Sequence, residues 1–139
     1  MDEYSDEWCR NNTKAPELAI QAHSAPLGIA FYEFQDDQCP GRLRPDFDGH
    51  AFVAYHGSWN RDVPTGYKVV RIPFPLEDPV DVLAHTGTGA QWPSGFRPVD
   101  TVFDTCGHLL VSSDGTRVGN VFTDGVIVRI CEGDMCNST

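Results

Sequence analysis

The stretch His56-Gly57-Ser58-Trp59-Asn60-Arg61 follows directly on an apolar run, Ala51-Phe52-Val53-Ala54-Tyr55. An imidazole can give or take a proton near neutrality. Gly57 lets the backbone turn closely, and Asn60 and Arg61 add fixed polar groups. A guanidinium is a planar fork suited to carboxylates or a quinone oxygen. Trp59 could stack on a flat ligand or plug the loop. A structured turn with a tryptophan anchor and a surface arginine is the plainer alternative.

A second arginine, Arg97, lies between Trp92-Pro93-Ser94-Gly95-Phe96 and Pro98. The proline restricts it to an extended backbone, at the entrance to another strand. It could bind an anion or pair with Asp100 or another acid. His23 also precedes a strand, where it serves either as a proton carrier or as a loop hydrogen-bond partner. Lys68 alternates with Tyr67 and Val69 and is expected at solvent. Asp104, Asp114 and Asp124 are oxygen donors of the kind calcium takes, but their separation does not form a short binding loop. Asp114-Gly115 and Asp124-Gly125 read as turns.

The 139 residues suit one small domain, 40% hydrophobic and 22% charged, so disorder is a poor description. The formal charge of -10 argues against nucleic acid as a partner, since backbone binding needs a basic face. No apolar run approaches the roughly 20 residues of a membrane helix, and the acidic start is no secretory signal. Five cysteines make disulfides more plausible than a zinc site, notably one closing the small loop from Cys131 to Cys136. With the acceptor tripeptides Asn11-Asn12-Thr13 and Asn137-Ser138-Thr139, they suggest an extracellular parent protein.

Short β-branched or aromatic runs bounded by turn residues predict strands at 27–32, 51–55, 67–73, 80–84, 99–103, 108–112 and 126–130. Ala15 to Ala22 could form a helical turn or two. Seven strands in sequence leave sandwich and propeller as candidates. An internal echo favours the propeller. Gly49-His50 and Gly107-His108 each precede an apolar strand, 58 residues apart. Each is followed by a strand ending Val-Arg-Ile, at Val70-Arg71-Ile72 and Val128-Arg129-Ile130. Two such units do not close a ring.

The ordered motifs resemble a known family. They are His23-Ser24-Ala25-Pro26-Leu27-Gly28, the run Ala51 to Arg61 with Gly66-Tyr67-Lys68-Val69-Val70-Arg71, Phe96-Arg97-Pro98-Val99-Asp100, and Gly107-His108-Leu109-Leu110-Val111-Ser112-Ser113-Asp114. Together they are similar to the C-terminal part of the soluble quinoprotein glucose and sorbosone dehydrogenases, a group that includes fungal pyranose dehydrogenases dependent on pyrroloquinoline quinone (PQQ). The resemblance covers residues 22–131, with 1–21 a poorly defined N-terminal segment and 132–139 a tail.

The resemblance implies an all-β fold: about two C-terminal blades of a six-bladed β-propeller. It implies PQQ and calcium as cofactors of the complete parent and a sugar or aldose as its substrate. The remaining blades are the expected partners of this chain. His56, Arg61 and Arg97 are expected on the cofactor side, with His23 lining the site. The family's catalytic base and calcium ligands are expected from earlier blades, so no catalytic or metal residue is assigned here. The last motif's usual two acids are reduced to Ser113-Asp114. The chain is then a cofactor-binding portion, not active alone, or a noncatalytic propeller piece that serves as a binding module.

Overall fold

The computed structural model describes residues 4–36, 39–118 and 121–133. Among the described residues the fold is all-β, as expected, apart from one short α-helix and a single 3-10 turn at Pro45–Phe47. Strands β1 (Pro26–Phe31), β2 (Ala51–Tyr55), β3 (Lys68–Ile72) and β4 (Val80–Leu83) pair antiparallel in chain order. A second sheet has the order β5 (Pro98–Phe103), β6 (Leu109–Ser113), β9 (Val126–Ile130). Between β6 and β9 stands a hairpin, β7 (Thr116–Val118) with β8 (Val121–Thr123), which the turn-like sequence there did not predict. The two sheets do not close into a ring. Among the described residues, no helix is long and apolar enough to cross a membrane.

The echo is a repeat in three dimensions. Ile29 opposes Val53 in the first sheet, and Thr101 opposes Val111 in the second. Strand period then sends alternate residues to opposite faces. Phe52 and Val69 point from the first sheet to meet Leu109 and Val111 of the second, with Tyr32, Leu43 and Phe96 completing a buried core. The Thr101 hydroxyl donates across to the Phe52 carbonyl at 3.1 Å. Gly28 permits the approach of β5 to β1: a Cβ there would stand 2.5 Å from the Asp100 Cα.

The other face of the first sheet is Ala51, Val53, Tyr55, Val70 and Ile72, against which Leu18 packs. Residues 15–22 therefore form an irregular strap and not the expected helical turn. Pro16 and the pull of Leu18 onto the sheet account for this. The helix, α1, is instead Asp6–Asn12, where the Ser5 hydroxyl accepts from the Trp8 N–H at 3.1 Å and two acids occupy the first turn.

Cys39 and Cys106 form a disulfide between the connection preceding β2 and the β5–β6 turn. Sequence spacing gave no sign of this pairing. Cys131 is also disulfide-bonded, while Cys136, its expected partner, lies outside the described residues, as does the Asn137 tripeptide.

Candidate functional site

At one end of the first sheet three chain segments converge. The His56 N–H donates to the Ala25 carbonyl at 2.9 Å and the Gly57 N–H to the Ser24 carbonyl at 3.1 Å. The loop closes on itself where the Ser58 N–H donates to the Thr65 carbonyl at 2.9 Å and the Thr65 N–H to the Ser58 hydroxyl at 3.0 Å. Gly57 sits at φ +99°, and a Cβ there would overlap the Tyr67 ring. His23, Ala25 and Tyr67 also hold positive φ. Left-handed residues other than glycine are strained and persist where the surroundings over-determine them, often at functional sites.

The second sheet supplies the rest. Arg97 donates from Nε to the His56 carbonyl and from Nη2 to the Gly57 carbonyl, both at 3.2 Å. Its guanidinium carbon lies 5.3 Å from the centroid of the Tyr67 ring. Arg97 thus pairs with neither Asp100 nor another acid among the described residues. It grips the backbone of the very loop that carries His56. Its own N–H donates to the Ser113 hydroxyl at 2.9 Å. The His56 Nε2 lies 3.0 Å from Asp114 Oδ2. The other carboxylate oxygen, Oδ1, is buried without a hydrogen-bond partner among the described residues.

Tyr67 is the floor of this end. Its hydroxyl donates to the Ser58 carbonyl and accepts from Gln91 Nε2 at 3.1 Å. Its carbonyl accepts from the Trp92 indole at 2.7 Å. Beside it opens a groove of about 310 Å³, lined by Tyr67, Gln91, Trp92, Arg97 and Thr116 among others.

The structure thus joins His56 and Arg97. Arg61 and His23 are both exposed, and neither has a hydrogen bond or ion pair with that cluster. Trp59 is 87% exposed, so it does not plug the loop. Lys68 is half-buried, its ammonium at the surface and 2.6 Å from Asp81 Oδ1. Asp114 is the residue sequence reading missed, taken there for a turn. The signal was available: His56 and Asp114 each follow the echoed strand, at the same offset as His50 and His108.

Another titratable cluster is structural. Ligand atoms of Asp104, Cys106 and His108 lie within 4.8 Å of one another, but the Cys106 sulfur is bonded to Cys39. His108 Nδ1 is 3.0 Å from Asp104 Oδ2, and its Nε2 is 3.3 Å from the Pro40 carbonyl. Burial alone would raise the Asp104 carboxyl. Hydrogen bonds from the backbone and ring of His108, its charge and the Cys106 N–H outweigh that and hold it below the usual carboxylate range.

The family model described as TrAA12-like matches residues 1–123, and the chain belongs to that family. It is 33% identical over 141 aligned positions to the pyrroloquinoline quinone-dependent pyranose dehydrogenase of Coprinopsis cinerea, covering 86% of this chain and 18% of that protein. Among solved structures, it is similar to the holo form of the pyranose dehydrogenase PQQ domain from Coprinopsis cinerea. There the identity is 34%, the TM-score 0.58, and the match covers 80% of this chain and 29% of the other. It is also similar to the iodide structure of the Trichoderma reesei carbohydrate-active enzyme of family AA12, at 28% identity and TM-score 0.56, over 79% of this chain and 27% of the other. The chain therefore spans less than a third of each of these relatives.

Proposed function

We propose that the chain is the cofactor-side portion of a PQQ-dependent sugar or aldose dehydrogenase, its two sheets being consecutive blades of the parent's propeller. The observation that carries this reading is the meeting of His56, Arg97 and Asp114 at one end of both sheets, on motifs shared with a family whose solved relatives include a holo PQQ domain.

The residues present fit part of what such a cofactor needs. PQQ is a polyanionic, flat quinone and takes convergent cations and flat neighbours. Arg97 retains Nη1, which has no partner among the described residues, while Nε and Nη2 hold the loop. Arg61 stands exposed on the same loop as His56, free to turn toward an anion. PQQ, when bound, would supply the redox chemistry by accepting a hydride from the sugar. This chain's residues would bind and orient it. Calcium and the catalytic base belong, in this reading, to other parts of the parent. The Cys39–Cys106 disulfide supports an extracellular parent.

Equilibrium titration of the parent with PQQ tests the assignment, with circular dichroism as the check on folding. Arg97→Ala should weaken binding by about 1.5–3 kcal/mol, the worth of a charged hydrogen bond. Unchanged affinity in both Arg61→Ala and Arg97→Ala rejects it. The 139-residue chain alone, given PQQ and calcium, should not oxidise sugar. Robust turnover by it would overturn the portion reading.

A further inference from the structure

A histidine of the first sheet is held by two residues of the second, at two different points. Arg97 takes the His56 backbone carbonyl and that of the next residue. Asp114 takes the ring. A carboxylate can only accept, so with Asp114 ionised the 3.0 Å contact runs from Nε2–H to Oδ2. A neutral imidazole carries one proton. With that proton on Nε2, Nδ1 is left as an acceptor, and it has no hydrogen-bond partner among the described residues.

We propose that Asp114 and Arg97 are positioning residues that fix His56 as the Nε2–H tautomer and leave its Nδ1 to accept from a hydrogen-bond donor of the ligand, such as a ring N–H, a role that rests on the cofactor reading above. A surface ion pair would explain a His–Asp contact, but three features point elsewhere. The pair is mostly buried, with side-chain exposures of 20% and 27%. Asp114 Oδ1 is buried and has no partner among the described residues, a costly arrangement unless a water or a ligand brings a donor. Arg97 spends two of its three nitrogens on the same loop. A ring locked by a carboxylate and a backbone locked by a guanidinium leave the histidine one orientation.

The two sheets also need each other for this. Asp114 immediately follows β6, and Arg97 immediately precedes β5, while His56 follows β2. Sliding one sheet on the other would break both grips together. Among the described residues, no other histidine is gripped from the opposite sheet in this way: His50 faces an arginine, and His108 meets the Asp104 carboxylate within its own turn.

The test is nitrogen NMR on the full chain labelled at its five histidines, with the His56 signals assigned by their loss in His56→Gln. The wild type should show a protonated Nε2 and a bare Nδ1. Asp114→Asn, isosteric and therefore expected to fold, can present its amide N–H to the ring and should shift the proton toward Nδ1. Asp114→Ala should leave a mixture, and Asp114→Glu should restore the wild-type pattern at least in part. A wild-type ring protonated on Nδ1, or a tautomer unchanged in Asp114→Asn, overturns the proposal. In the parent, Asp114→Asn should weaken PQQ on the order of tenfold, as when a partner that orients a ligand-binding histidine is removed. Equal PQQ affinity in the two sinks the positioning role. If the tautomer moves as expected but the wild-type parent takes up no PQQ, the cofactor reading falls and the clamp stands.

Discussion

Phe31 and Phe103 hold the same register position in the two sheets, Phe31 opposite Ala51 and Phe103 opposite Leu109. Their surroundings differ completely. Phe103 is half-buried, its ring edge-on to Phe52 at 5.2 Å and 4.9 Å from Tyr32. Phe31 is 60% exposed, and Leu27 and Ile29 on the same strand face are 57% and 56% exposed. The second sheet has its facing neighbour; along β1 the first does not. The repeat supplies the backbone and register, and the neighbour decides which apolar residues become core.

The largest effect should come from the shared face. Phe52→Ala should lose about 3–5 kcal/mol, read from the urea midpoint, because it removes the ring that both sheets close on. A loss below about 1 kcal/mol would mean that the sheets do not pack as described. Next, Gly28→Ala should cost about 1–3 kcal/mol by overpacking, since the new methyl collides with backbone of β5. A neutral result there would place the sheets further apart.

Acid should separate the two Gly-His positions. His50 Nδ1 faces the Arg71 guanidinium at 2.7 Å, and burial followed by the Arg71 charge lowers its pKa. Above about pH 6.5 the ring is neutral in both folded and unfolded chains and its contribution is whole. As pH falls below that, the unfolded chain protonates first, and stability declines until the folded ring is also charged. Asp104 is likewise depressed, so its contribution persists to lower pH and is lost only below the usual carboxylate range, about 3.9. Two separate declines should appear in denaturation midpoints against pH, and His50→Asn should flatten only the first. A single decline in both proteins would refute the assignment.

The smallest effect is at Phe31→Ala, which should change the midpoint of this chain by less than about 0.5 kcal/mol, as exposed positions do. A loss comparable to Phe52→Ala would show that β1 is covered in solution.

Much of this was written in local sequence. All seven expected strands are present, because β-branched runs bounded by glycine and proline fix strand identity without help from the rest of the fold. The echo of Gly-His and Val-Arg-Ile marked the repeat, since equal register needs equal residues. What escaped depended on distant contacts. Residues 15–22 were open to helix until Leu18 found the face of Val53 and Val70. Cys39 meets Cys106 only because the sheets are stacked. Arg97 reads in isolation as an anion ligand or the partner of an acid, and its grip on the His56 and Gly57 carbonyls exists only across the sheet boundary. The same boundary hides Asp114, whose neighbours in sequence say turn and whose neighbour in space is an imidazole.

The disulfide has a consequence for the chain as a polymer. Residues 39–43 are pinned to the second sheet by the Cys39–Cys106 bond, and the Leu43 N–H donates to the Gly107 carbonyl at 3.1 Å. The chain is thus a closed ring of residues 39 to 106 with two tails. A protease that cuts once inside that ring, at the exposed loop near Trp59 for instance, yields no free fragment. The halves stay tethered, and their re-encounter is intramolecular, at an effective concentration set by the tether and not by the amount of protein in solution. Nicking would then leave the sheets able to find each other again, until a reductant releases them.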